Sequence, residues 1–97
     1  MDKELMVKLI EDTYSTKNKT FVTRVTCTDN VTHYGYFHPF DDYAKLKEKN
    51  IYRFVPRNNY AALKSGYEKK WKYDAKHSII LQGEDVLNID FVLPLHN

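Results

Sequence analysis

His33 and His38 are the first residues to test for chemistry, because two imidazoles can share a metal or relay a proton. They lie five apart in one extended stretch, and odd spacing on a strand aims them at opposite faces, which argues against either partnership. Asp41 and Asp42 are adjacent carboxylates, but their place between Phe40 and Tyr43 suits a turn cap better than an acid–base dyad. Cys27 is the only cysteine; it falls within strand alternation and reads as a small core side chain. No Ser/His/Asp arrangement and no phosphate-cradling glycine loop occurs. The expectation is therefore a protein that is not an enzyme, with no metal, no cofactor and no small-molecule substrate.

What remains is the chemistry of binding. Eight Tyr and five Phe among 97 residues supply flat, amphipathic surfaces. The formal charge of +2 leans basic, and its distribution matters more than its sum. Lys64 to Lys76 concentrates Lys69, Lys70, Trp71, Lys72 and Tyr73 in a pattern that fits an exposed hairpin end, either solvated or held against a polyanion. Lys45, Lys47 and Lys49 form a second basic stretch, interrupted by Glu48, which is either a solvated loop or a source of phosphate contacts.

The elements that must position these groups follow from periodicity. From Lys3 to about Thr13, Leu5, Met6, Leu9 and Ile10 recur at helical spacing, with Asp2 as N-cap and Glu4 at the positive end of the dipole. The period then becomes two. Phe21, Thr23, Val25 and Cys27 alternate with Val22, Arg24, Thr26 and Thr28, and Asp29-Asn30 supplies turn chemistry. A second strand runs from Val31 to about Phe40, with Gly35 at a bend or a close backbone approach. Asp41 to Lys49 allows one helical turn, Ile51 to Val55 is a strand bordered by Pro56, His77 to Leu81 is another, and Val86 to Leu93 closes the series after a turn at Gln82 to Asp85.

Length and composition bound this plan. Ninety-seven residues with 42% hydrophobic content fit one domain over 1–97, with a helix within 1–16 and a β-barrel over 20–94. So thin a core leaves apolar surface that association could cover. A single cysteine needs no oxidising compartment, the apolar runs are far short of a membrane span, and the charged first residues carry no signal-peptide pattern, so the expected location is cytoplasmic, with no membrane partner.

Two stretches narrow the reading. Val25, Cys27, Asp29, Asn30, Gly35, Phe37 and Phe40-Asp41 stand at the spacing of the first signature motif of the Sm-like family, with Asn30 where that pattern has Gly. Ile79, Leu81, Gly83, Asp85, Val86 and Ile89 resemble the second, with Gln82 where the pattern has Arg. The resemblance covers roughly 35 residues, and the amphipathic helix before them matches too. It implies a mainly β fold: an N-terminal helix, then a strongly bent five-stranded antiparallel sheet forming a small SH3-like barrel.

The resemblance also implies a homo-oligomeric ring of about five to seven subunits, joined through the edges of the last two strands at Ile79, Ile80, Leu81, Ile89 and Phe91. Such a ring holds single-stranded RNA, U- or A-rich, and acts as an RNA chaperone or a scaffold for RNA processing. Carried onto this chain, the RNA-binding positions are Tyr43 as base stacker, Asn50 as edge reader, Gln82 and Gly83 in the second motif, and Lys45 and Lys49 toward the backbone. Bland readings stand beside these: Tyr43 covering the barrel edge, Asn50 opening the third strand. The alternative function is an SH3-like interaction module whose Tyr34, Tyr36 and Tyr52 grip an extended peptide or a sister subunit.

Overall fold

The computed structural model describes residues 1–15, 21–59 and 77–93. Helix α1 (Lys3–Ser15) starts where Asp2 caps it: the Leu5 N–H donates to Asp2 Oδ1 at 2.9 Å, filling one of the orphan donors of the first turn. Met6 and Ile10, one turn apart, are wholly buried, with Val7, Leu9 and Tyr14 packed partly against the same core. Leu5, expected on that stripe, is instead exposed, because the buried face centres on Met6 and Ile10 and Leu5 lies a hundred degrees round the helix from Met6.

Five strands follow: β1 (Val22–Cys27), β2 (Thr32–Phe37), β3 (Ile51–Pro56), β4 (Ile79–Gln82) and β5 (Val86–Val92). A short helix, α2 (Tyr43–Lys47), joins β2 to β3. All strand pairs are antiparallel, in the spatial order β4-β3-β2-β1-β5. The fold is thus a helix followed by one five-stranded, mainly antiparallel β layer, and β4 and β5 do not pair with each other. They are joined by only the 3-10 turn Gly83–Asp85, although they stand at opposite edges of the sheet.

Local chemistry explains the turns. Between β1 and β2, Asn30 takes a left-handed φ of 66°, the Val31 N–H donates to Asp29 Oδ1 at 3.0 Å, and the Cys27 N–H donates to the Val31 carbonyl. Gly35 pairs with Thr23 on one side and Pro56 on the other; a Cβ there would collide with the Val55 carbonyl oxygen, so only glycine allows the strands to approach this closely.

Alternation assigns the faces. Val25, Phe37, Tyr52, Phe54, Leu81 and Ile89 join Met6 and Ile10 in the main core, and Phe37 meets Phe54 edge-on at 5.0 Å. Each such apolar side chain contributes roughly 1.5–3 kcal/mol on burial. Cys27 is buried there as a free thiol, and burial pushes its pKa up. Val22 and Val55 are also buried but occupy the opposite parity, outside that cluster. The register of β1 with β5 shifts between Thr26 and Cys27, which leaves Leu87 out of the pairing and exposed. The basic stretch at 64–76 and the residues at 16–20 and 94–97 lie outside the described residues. No helix among the described residues is long and apolar enough to cross a membrane.

Candidate nucleic-acid interface

Asn50, the candidate edge reader, meets the second motif stretch at Gly83. Helix α2 ends in a run of turns whose Lys49 and Asn50 N–H groups donate to the Leu46 and Lys47 carbonyls, and Asn50 then adopts a left-handed φ of 56° that redirects the chain into β3. From there its carbonyl accepts the Gly83 N–H at 2.7 Å. Its side-chain Oδ1 accepts the Tyr52 hydroxyl at 2.7 Å, and its Nδ2 donates to the Met1 carbonyl at 3.3 Å. The Met1 nitrogen in turn donates to the carbonyls of Gly83 and Val86 at 2.8 and 2.9 Å. A Cβ on Gly83 would fall on the Asn50 amide, so the glycine is what lets the amide lie flat against the turn. The Tyr52 phenol is pushed up to about 12, by burial first and then by Tyr43 and Asp2.

Asn50 and Gly83 are therefore adjacent, and Gln82, exposed and paired with Ile51, stands beside them. Both polar atoms of the Asn50 amide are already engaged within the chain. Tyr43 lies apart in role: its ring meets Tyr14 edge-on at 5.9 Å, Lys47 Nζ sits 5.1 Å from its centroid, and it packs against the core. Its hydroxyl is buried without a hydrogen-bond partner among the described residues, and burial raises its pKa. Of the readings open for Tyr43, this geometry is the covering one. Lys45 and Lys49 are exposed on and just after α2, whereas Lys47 faces Glu11 at 3.8 Å.

The strand residues expected at an oligomer interface divide. Ile80 and Phe91 expose about half of their surface, Ile79 is partly buried against the core, and Leu81 and Ile89 are core residues. The last two correct the expectation for their side chains, because alternation along β4 and β5 turns them under α1 and leaves only their backbones at the sheet edges.

Two charge pairs were not read from the sequence. On the face opposite the helix, Arg24 of β1 grips Asp90 of β5 in a fork, Nε to Oδ1 at 2.9 Å and Nη2 to Oδ2, and this holds the Asp90 carboxyl below its usual range. Arg53 holds both oxygens of Asp42 from Nε, at 3.1 and 2.9 Å, and donates from Nη1 to Ser78 Oγ at 3.2 Å. Asp42 thus ties α2 to β3 and makes no side-chain cap, a correction to its expected role. The Arg24–Asp90 pair was not legible because it depends on which strand lies beside β1, and the Asp42–Arg53 pair because it depends on how α2 folds back on β3. His33 packs near Phe54 and His38 near Phe40, so each imidazole has its own aromatic neighbour. No group of three or more His, Cys, Asp or Glu among the described residues could hold a metal.

The chain matches no family model, no curated protein and no solved structure.

Proposed function

We propose that this chain is a ring-forming, cytoplasmic, Sm-like protein that binds single-stranded RNA without catalysing a reaction, and that its sheet is curled into a small barrel. The observation that carries the reading is that β4 and β5 are the two edges of the sheet among the described residues and are linked by a three-residue turn. In a flat five-stranded sheet those edges would stand about 19 Å apart, four spacings of ~4.8 Å. A 3-10 turn advances ~2 Å per residue and covers less than half of that distance. Curling brings the edges together at one corner, and elsewhere each edge is open to another chain's backbone. Ile80 on one edge and Leu87 and Phe91 on the other supply apolar surface for such a contact. A heterologous edge-to-edge contact closes into a ring when its rotation permits.

RNA binding is supported by the contact of Asn50 with Gly83 of the second motif stretch, with Gln82 exposed next to Gly83 and Lys45 and Lys49 exposed on and just after α2. Fluorescence anisotropy of short oligo-U and oligo-A, titrated with the native protein over a range of salt, tests it. Binding should weaken with salt, with a slope near 0.7 per phosphate contact, and Lys45→Ala/Lys49→Ala should flatten that slope. A native protein that binds neither oligonucleotide removes the RNA reading.

A second reading is a module that takes an extended peptide on an open edge. Tyr34, exposed beside Arg24, favours it, whereas Tyr52 is corrected to a core residue and offers no surface. Peptide binding without oligonucleotide binding would select this alternative.

A further inference from the structure

We infer that Asn50 is a positioning residue that sets the angle between the two edge strands, and so the closure of the ring, instead of reading a base; this rests on the assembly proposed above. The strands β4 and β5 leave opposite ends of the turn Gly83–Asp85, so the direction of one edge relative to the other is the conformation of that turn. Asn50 holds the turn's first residue through its own backbone carbonyl and lies where a Gly83 side chain would be. Met1, which Asn50 holds through Nδ2, contacts the carbonyls of Gly83 and of Val86, the first residue of β5. Asn50 therefore reaches the corner between the edges twice, directly from its backbone carbonyl to Gly83 and from its amide through Met1 to Gly83 and Val86.

In its present orientation each polar atom of the amide is already engaged, Oδ1 by the Tyr52 hydroxyl and Nδ2 by the Met1 carbonyl, which leaves one N–H and one lone pair. Turning the amide to face a base would break two bonds that are partly screened from water, at a cost comparable to those the base would restore. The left-handed backbone at Asn50 points the same way: Asn tolerates that conformation and also carries the amide, whereas glycine would satisfy the first demand alone.

Two variants separate positioning from reading. Tyr52→Phe keeps the buried ring and the Asn50 amide and deletes only the hydroxyl that holds Oδ1. Asn50→Gly keeps the left-handed turn and deletes the amide. Native mass spectrometry with and without oligo-U, far-UV circular dichroism as a check of the fold, and oligo-U anisotropy are read together. The expected result is that both variants retain the β signature and that the single ring mass of the native protein becomes a mixture or a different subunit number. Oligo-U affinity should fall in step with the loss of the native ring. An unchanged ring in both variants overturns the inference alone. So does a loss of oligo-U affinity of about tenfold in Asn50→Gly with the ring mass intact, which would make the amide a reader. A monomeric native protein removes the assembly, and the inference with it.

Discussion

Gly35 shows how much one residue can decide. Its neighbour across the sheet is the Val55 carbonyl oxygen, a backbone atom that cannot swing aside, so Gly35→Ala must push β2 from β3. Overpacking of this kind costs about 1–3 kcal/mol, and urea denaturation of the variant should show a loss of that size in unfolding free energy. His38 is a second residue-scale case. Burial lowers its pKa from the ordinary 6.5, so the folded chain resists a proton that the unfolded chain accepts. Its contribution to stability is complete above pH 6.5 and is lost as the pH falls below it. Urea midpoints measured on either side of that pH should differ in this sense, and His38→Gln should remove part of the difference.

At the scale of elements, α1 is held by its cap and by two buried side chains. Removing the cap with Asp2→Ala leaves the Leu5 N–H without its acceptor and should lower stability by about 1 kcal/mol, seen as a lower thermal midpoint with the helical signal intact at low temperature. Helix α2 is tied down differently, by Asp42 to Arg53 and by Lys47 to Glu11 on α1. It separates Phe40-Asp41 from Asn50, and the turns after it deliver Asn50 to Gly83.

For the whole molecule, the edge strands β4 and β5 carry the main prediction. Ile80 is exposed on the β4 edge, opposite Arg53, so Ile80→Glu should be tolerated by the protomer. The same change puts a charge where a second strand would dock. The expected outcome is a folded protein with little change in unfolding temperature and a shift from oligomer to monomer in native mass. Retention of the full oligomer would show that β4 is not a contact edge.

Much of the local order was legible in the residues alone. Asp2 as cap, the left-handed turn at Asn30, the close approach at Gly35 and the burial of Cys27 each follow from what one side chain can do within a few positions of itself. The order of five strands along the chain was equally readable from alternation and turn chemistry. What periodicity could not supply was which strand lies beside which. The partnership of β1 with β5 puts Arg24 against Asp90 across 66 positions of sequence and Ile89 beside Val25 in the core, and that of β3 with β4 sets Leu81 opposite the buried donor Tyr52. The same strand order brings Asn50 to Gly83 and commits an amide that, read by itself, was free to contact a ligand. Local propensity acts over one turn of backbone, whereas these contacts exist only after the sheet has formed, because the core selects the arrangement that buries the most apolar surface.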